Sequence, residues 1–347
     1  MEFGLFTEFQ CPPGVSEAAA FEQSMAQMVT AESLGYDAVW LAELHFQKDR
    51  LVLSSPLVVA GALAVATKRI KIGIAVQVLP LTNPIRIAED AATVDNLTRG
   101  RLDFGVGRSG LPSHYRGFNI PYAESRDRFN EALDIVVKAW TEDRFSYEGR
   151  YHQLHDVCVM PKPFQKPHPP MRIAATNAET FDMVGRMGYP LFIAVRTSGV
   201  EELKHLINGY HDGWKAAGRQ GRGDVALSIP VYVAETDARV REDAEASTMH
   251  FFRSIAKGLA QQDGATSAVS KARAERAQRL AALTYEDVTK NYAIYGSPES
   301  VTEQLQALRE HLGFSTLSLW MNCGGMIGHD DVMRSMRLFA ERVIPRL

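Results

Sequence analysis

Glu43 and His45 stand two residues apart, directly after the apolar segment Ala38–Leu41. In an extended chain, residues two apart point to the same side, so these two face together and Leu44 faces away. A carboxylate beside an imidazole can fix its tautomer and raise its basicity, which suits proton transfer near neutral pH. A purely structural Glu–His hydrogen bond at the start of a loop remains the alternative.

Arg108 lies among three glycines, Gly105, Gly107 and Gly110, after the apolar residues 102–106. Glycine lets the backbone come close to a ligand, and the forked donors of a guanidinium group match a phosphate. The spacing is not that of a GxGxxG dinucleotide-binding turn. A phosphate ligand and a solvated surface arginine both agree with this pattern.

Residues 176–180 begin a helical pattern and contain Thr176, Asn177 and Thr180. Free N–H groups, the helix dipole and two hydroxyl groups make such a start an anion site. A plain N-cap needs the same residue types, so a structural role is the alternative. Because this segment and Arg108 follow neighbouring predicted strands, together they could hold a single phosphate.

Positioning these residues requires a scaffold, and eight short apolar segments alternate with longer helical patterns along the chain. Such segments, bounded by polar residues or glycine, are typical of strands buried on both faces of a parallel sheet. They are residues 3–6, 38–41, 70–79, 102–106, 172–175, 191–195, 226–234 and 316–321. Eight strands, each followed by a helix, predict one α/β domain over residues 1–347, a (β/α)8 TIM barrel. A doubly wound open sheet is the rival, since periodicity cannot prove closure.

The helices have recognisable ends. Ser16 begins the first and Gly35 follows its end, while Asn83-Pro84 begins another that ends at Arg99-Gly100. The other predicted helices span residues 125–140, 177–187, 200–217, 237–257, 298–312 and 330–343.

The active sites of TIM barrels lie at the carboxyl ends of the strands. Applied to the predicted strands, that rule selects the polar residues that follow them. They are Glu8, Glu43, His45, Gln77, Arg108, Thr176, Asn177, Arg196, Glu235 and Asn322.

Two insertions interrupt the alternation, near residues 141–170 and 258–292. The first is interpreted as an excursion before strand five. The second is polar and lies between strands seven and eight, which would place it at the carboxyl face of a barrel as a candidate lid. A surface helical excursion without a gating role is the alternative.

Charge and cysteine content exclude several protein classes. A net charge of −3 without a run of Lys or Arg argues against a nucleic-acid or anionic membrane partner. Cys11, Cys158 and Cys323 have no paired spacing, which favours a reducing compartment and argues against a zinc site or a secreted disulfide framework. We expect no metal centre. The start of the chain lacks signal-peptide features, so we expect a cytoplasmic protein.

The helix at Pro56–Ala66 has no polar face, although an outer barrel helix should present one to water. Either the second insertion or another subunit should cover it. We favour the subunit, and therefore a homodimer.

Together these segments resemble the bacterial luciferase-like family of flavin-dependent monooxygenases over nearly the whole chain. The matching segments are Phe3-Gly4 with Pro12-Pro13-Gly14, Leu34-Gly35-Tyr36-Asp37 with Val39-Trp40, Glu43-Leu44-His45-Phe46, Ile72-Gly73 through Val78-Leu79-Pro80, Asn83-Pro84 with Glu89-Asp90, Arg99-Gly100 through Gly107-Arg108, Gly296-Ser297-Pro298-Glu299 and Val343-Ile344-Pro345. Their common order and spacing carry the resemblance.

The resemblance implies a TIM barrel that receives reduced FMN from a separate NAD(P)H-dependent flavin reductase and uses O2 to oxidise a small organic substrate. Arg108, Thr176, Asn177 and Thr180 would hold the FMN phosphate. A non-prolyl cis peptide between Ala75 and Val76 would support the flavin ring.

Three positions depart from luciferase itself. Leu44 replaces the first His of the usual Glu-His-His-Phe, Gly107 replaces a reactive cysteine, and Asn83 replaces another histidine. Light emission from an aldehyde is therefore not expected. A deazaflavin-dependent hydride-transfer enzyme and a weakly catalytic flavin-binding protein are the alternatives.

Overall fold

Eight parallel strands close into a barrel in the computed structural model, which describes residues 1–48, 50–260 and 268–347. The described strands are β1 (Glu2–Thr7), β2 (Ala38–Leu41), β3 (Lys71–Val78), β4 (Leu102–Gly107), β5 (Phe145–Glu148), β6 (Gln153–Val157), β7 (Met171–Ala174), β8 (Leu191–Ala194), β9 (Val225–Val233), β10 (Ile294–Gly296) and β11 (Thr316–Trp320). The barrel runs β1-β2-β3-β4-β7-β8-β9-β11, and it closes because β11 pairs in parallel with β1. The predicted (β/α)8 fold is confirmed, and the open sheet is excluded.

Helices surround the barrel. Those in the described residues are α1 (Glu17–Ser33), α2 (Pro56–Ala66), α3 (Pro84–Thr98), α4 (Pro112–Gly117), α5 (Ser125–Thr141), α6 (Ala178–Met187), α7 (Val200–Ala216), α8 (Asp237–Ala260), α9 (Ala268–Ala281), α10 (Tyr285–Asn291), α11 (Pro298–Leu312) and α12 (His329–Leu338). The predicted ends agree well: Ser16 accepts a hydrogen bond from the N–H of Ala19, and Arg99 ends α3 in the left-handed region at φ 54°. The last helix is shorter than predicted, because the chain widens into a π-helical turn at Phe339–Val343.

A large aromatic side chain fills the centre of the barrel. Trp40 is fully buried and lies against the backbone of Gly4 and Gly73. A Cβ atom at these glycines would come within 2.4 and 2.1 Å of the Trp40 ring, so both strands need a residue without a side chain there. The barrel is therefore a packed core rather than a pore, as is usual for this fold.

A buried ion pair seals the amino end of the barrel. Nε of Arg172, near the start of β7, lies 3.0 Å from a carboxylate oxygen of Asp103, near the start of β4. Burial raises the pKa of Asp103 in spite of this partner. Access to the barrel is thus left to the opposite face, where the strands end.

Three short strands escaped the sequence prediction. The excursion at residues 141–170 contains the antiparallel hairpin of β5 and β6. The strand β10 lies beside the last residues of β9, outside the closed barrel, and pairs Ile294 with Val231 in parallel. Three-residue strands are too short to show a periodicity, which explains why β10 was missed.

The second insertion consists in part of α9 and α10, and residues 261–267 within it lie outside the described residues. Nη2 of Arg279 on α9 donates to the carbonyl of Thr197 at 3.2 Å, in the loop after β8. The insertion therefore reaches the carboxyl face of the barrel, and its role as a lid stays a prediction. No helix in the described part of the chain is long and apolar enough to cross a membrane.

Candidate active site

A cleft at the carboxyl face lies between the ends of β4 and β7. It is a small, partly open depression, and it is lined by Arg108, Arg126, Phe129, Ile173, Ala174, Thr180 and Met183. The structure thus brings Arg108 together with Thr180, as predicted from the order of the strands. Two arginines and a helix start supply hydrogen-bond donors on a partly apolar floor, a combination that suits an anionic group such as a phosphate.

Arg108 is oriented by its neighbours. Its Nη1 donates to the hydroxyl of Ser125 at 3.1 Å, and the hydroxyl of Tyr115 donates to its carbonyl oxygen. The second arginine of the cleft, Arg126, is paired through Nη2 with Glu179 at 2.8 Å. Arg108 itself has no carboxylate partner within 4.0 Å among the described residues. Its charge is therefore available to a ligand.

Asn177 acts as the N-cap of α6. Its side-chain oxygen accepts hydrogen bonds from both the N–H and the hydroxyl of Thr180, each at 3.0 Å. Thr176 is exposed just before the helix. The capping role weighed as an alternative is thus present, and a phosphate here would have to compete with or add to these bonds.

Two of the three glycines around Arg108, Gly105 and Gly107, pack closely against β3. A Cβ at Gly105 would lie 2.2 Å from the carbonyl oxygen of Ile74, and one at Gly107 would lie 2.6 Å from a methyl carbon of Val76. Their close backbone approach is therefore to β3. Position 107 therefore has no space for a cysteine side chain while Val76 is present, and the approach of this backbone to a ligand stays a prediction.

Glu43 and His45 form a hydrogen-bonded pair, as their spacing predicts. Nε2 of His45 lies 2.8 Å from Oε1 of Glu43, although both residues follow the end of β2 in a loop. The other carboxylate oxygen accepts from the side-chain amide of Gln77 at 2.5 Å and from the N–H of Val78 at 2.7 Å. Three donors around an acceptor-only carboxylate hold it rigidly, so the imidazole has a fixed support.

One ring nitrogen of His45, Nδ1, is not used by the hydrogen bond to Glu43. With Nε2 bonded to Glu43, Nδ1 has no hydrogen-bond partner in the described part of the chain. A tenth of the His45 side chain is exposed, compared with 3% for Glu43. The pair can therefore deliver or accept a proton at Nδ1, with the carboxylate behind it.

A second histidine that the sequence did not single out lies against this pair. His114 of α4 is fully buried, and its Nε2 accepts from the backbone N–H of His45 at 3.4 Å. Its Nδ1 lies 3.2 Å from the hydroxyl of Ser109. Burial, then the charges of His45 and Arg50, lower the pKa of His114 to about 4, so it stays neutral and positions the loop that carries His45. No pattern marks it, because it comes from a helix after a loop rather than from a strand end.

A non-prolyl cis peptide joins Ala75 to Val76 on β3, as the resemblance implied. It falls where the pairing of β3 with β4 is irregular, between Ile74 and Gln77. This stretch carries Gln77 to the carboxylate of Glu43. The role of Ala75 and Val76 towards a ring system stays a prediction.

The remaining candidates separate into two groups. Glu8 and Arg196 meet in an ion pair of 2.8 Å at the mouth of the barrel. Glu235 is exposed, and Asn322 bonds to both backbone groups of Ile327, which holds a turn. The pairing of Glu8 with Arg196 depends on closure of the barrel, because the two residues follow strands that are not neighbours.

Comparison with known proteins gives matches across most of the chain. A family model described as luciferase-like monooxygenase matches residues 1–316. The oxygenase component of the flavin-dependent trigonelline monooxygenase from Acinetobacter baylyi is 25% identical over 93% of this chain and 90% of that protein. The F420-dependent glucose-6-phosphate dehydrogenase from Kineococcus radiotolerans is 27% identical over 92% of this chain and 91% of that protein. The solved structure of the monooxygenase RslO1 from Streptomyces bottropensis has a TM-score of 0.80 and 27% identity, and the match covers 99% of both chains.

Proposed function

This chain belongs to the luciferase-like monooxygenase family, and on that basis we propose that it uses reduced FMN and O2 to oxidise a small organic molecule. The observation that carries the proposal is the cleft between Arg108 and Thr180, which has the donors and charge that a flavin phosphate requires. The Glu43–His45 pair supplies proton chemistry at the same face.

Arg108 binds the phosphate from the side of β4, and the start of α6 binds it from the side of β7. The planar fork of a guanidinium group matches two phosphate oxygens. Ser125 orients the side chain in advance through the 3.1 Å bond to Nη1. Thr180, Asn177 and Thr176 complete the site at the start of the helix. When bound, the reduced flavin supplies the electrons for the reduction of O2.

His45 holds or releases the proton at Nδ1. The carboxylate of Glu43 accepts a hydrogen bond from the N–H at Nε2 of His45. This bond fixes the tautomer, and it stabilises the imidazolium form when Nδ1 is also protonated. His114 stays neutral, so it adds no second charge beside His45. His45 therefore transfers the proton, and Glu43 orients the imidazole.

The electrons have to come from another protein, a transient NAD(P)H-dependent flavin reductase, which makes the system a two-component one. The relative from Acinetobacter baylyi, itself named as an oxygenase component, supports this division. We place the enzyme in the cytoplasm, where such a reductase finds its nicotinamide substrate.

A deazaflavin is the second candidate cofactor. The relative from Kineococcus radiotolerans is named as F420-dependent, and its identity to this chain is similar to that of the monooxygenases. Hydride transfer to or from a deazaflavin would replace oxygen chemistry. A weakly catalytic flavin-binding protein is the third possibility, because Leu44 offers no proton chemistry.

Incorporation of oxygen from O2 into the product separates these candidates. The protein is mixed with a flavin reductase, NADH and FMN, and a panel of small organic substrates is incubated under ¹⁸O2 and analysed by mass spectrometry. We expect product that carries ¹⁸O and depends on this protein. Unlabelled product formed only with reduced F420 would favour the deazaflavin enzyme, and tight FMN binding without any product would favour the binding protein.

We further propose a homodimer that buries the apolar face of α2. Val58 and Val65 are 74% and 71% exposed, and Leu97 of α3 is 56% exposed. Val65→Asp should place an unpaired charge in the interface and weaken association by about 3 kcal/mol, or about 100-fold. Light scattering across a dilution series measures this change. Asn208→Asp, at an exposed position of α7 on the opposite side of the barrel from α2, is the control. A monomeric parent at micromolar concentration would rule out the dimer.

A further inference from the structure

Two arginines share one buried carboxylate at the mouth of the barrel. Glu8 follows the end of β1 and is 1% exposed. Nη2 of Arg50 lies 3.0 Å from Oε2 of Glu8, and Nη2 of Arg196 lies 2.8 Å from Oε1. Burial would raise the pKa of Glu8, but the two guanidinium groups outweigh it and hold the pKa below its ordinary value. The cluster therefore consists of one negative and two positive charges.

The excess positive charge can be reached from solvent. The side chains of Arg50 and Arg196 are 25% and 26% exposed, whereas the carboxylate between them is not. Each guanidinium group has five N–H donors, and each uses Nη2 for Glu8. Among the described residues, neither has a second carboxylate within 4.0 Å. Donors remain on both groups for a further acceptor.

Aromatic rings surround the two charges. The Arg196 guanidinium carbon lies 4.9 Å from the ring centre of Trp320 and 5.4 Å from that of Phe6. The Arg50 guanidinium carbon lies 5.6 Å from the ring centre of Phe251, which itself packs edge to face on Trp320 at 4.6 Å. These rings are buried, so they pack against the two guanidinium groups and help to hold them at the mouth of the barrel.

Two buried donors beside this cluster have no hydrogen-bond partner in the described residues. Nε1 of Trp320, a residue only 2% exposed, is buried without a hydrogen-bond partner. The same holds for Nε2 of Gln10, whose backbone pairs with Leu51 in the loop that carries Arg50. A buried donor without an acceptor is costly. Both atoms are enclosed by protein, so the donors that remain for a ligand are those of the two partly exposed guanidinium groups.

The cluster faces the same mouth as the proton-handling pair. Glu8 follows β1, Arg196 follows β8 and Trp320 ends β11, so all three lie at the carboxyl face. The strand β1 pairs directly with β2, which leads into Glu43. The charge of Arg50 also contributes to the low pKa of His114, the neighbour of His45, after burial and the charge of His45.

We propose that Arg50 and Arg196 bind the carboxylate of a small organic acid through the N–H donors that Glu8 leaves unused. This inference rests on the proposed function in taking that acid as the substrate. Glu8 is a positioning residue that holds the two guanidinium groups together. A planar guanidinium fork recognises a carboxylate through two parallel hydrogen bonds, which an amide of the same shape cannot match.

Matched acids and amides test this site without turnover. Isothermal titration calorimetry of the full-length protein with benzoate, benzamide, hexanoate and hexanamide, each with and without FMN, compares charge at constant shape. We expect at least one acid to bind about ten- to a hundred-fold more tightly than its amide. Arg196→Gln should remove that difference, and Arg196→Lys should retain part of it, because it keeps the charge and loses the fork.

Arg144→Gln is the matched control, because Arg144 is an exposed arginine paired with Asp156 on the hairpin. It should bind all four probes as the parent does. If neither acid outbinds its amide in the parent, or if no acid binds measurably, the proposal is wrong, whatever the variants do. Titration of the parent protein with FMN tests the proposed function separately from the carboxylate site. If the parent does not bind FMN but still prefers acids to amides, the proposed function alone is refuted.

Discussion

His45→Ala should lower turnover by about 10²–10⁴-fold while retaining most of the affinity for FMN. Positioned general acid–base groups have effects of this size. The imidazole has Nε2 bonded to Glu43 at 2.8 Å and Nδ1 without a partner in the described residues, which is the arrangement that proton transfer needs. Rates of oxygen uptake with a flavin reductase, expressed per folded molecule, measure the effect.

Glu43→Gln should give a milder loss, because a neutral amide can still accept from Nε2 but cannot stabilise a positive imidazole. His155→Ala, which removes an exposed histidine from β6, is the control and should leave turnover unchanged. The competing explanation is that His45 only packs the loop, against His114 and Phe118. Its signature would be a lower melting temperature of His45→Ala with turnover per folded molecule intact, so both quantities have to come from one preparation.

Arg108→Ala should weaken the binding of FMN by about ten- to a hundred-fold. A hydrogen bond between charged partners contributes about 1.5–3 kcal/mol, and Arg108 is the one arginine of the cleft whose charge is not already paired with a carboxylate among the described residues. Fluorescence titration with FMN, repeated with the reduced flavin under anaerobic conditions, gives the affinity.

Two further variants sharpen that result. Ser125→Ala removes the group that orients Arg108 and should cost less than loss of the guanidinium itself. Arg186→Ala removes an exposed arginine at the other end of α6, paired with Asp182, and should bind FMN normally. If Arg108→Ala binds as tightly as the parent, the phosphate lies elsewhere and the proposed cofactor site is wrong.

Local pattern was sufficient for the barrel and for part of the site. Apolar segments with a strand period, helix caps at Ser16 and Asn83, and Gly35 after α1 are short-range features, so each can be recognised without its partners. The Glu43–His45 contact is equally local, because residues two apart share a side even in the loop after β2. The meeting of Arg108 with Thr180 required one more assumption, that neighbouring strands in the chain are neighbours in the sheet.

Contacts between distant segments were decided only by tertiary structure. Arg50 lies in the loop after β2, and His114 lies on α4, which follows β4. The path of a loop has no periodicity, so it could not be predicted from the sequence. Glu8 and Arg196 were recognised separately as polar strand ends, yet only closure of the barrel brings the first and sixth barrel strands close enough for an ion pair. The glycines at 105 and 107 show the same limit: their type indicated a close approach, but whether to a ligand or to β3 depended on packing. By itself the sequence determined the eight barrel strands, most of the helices around them and several side chains that can do chemistry, because those properties are local. The tertiary structure decided which of these side chains meet, because each meeting depends on the register and closure of the whole barrel.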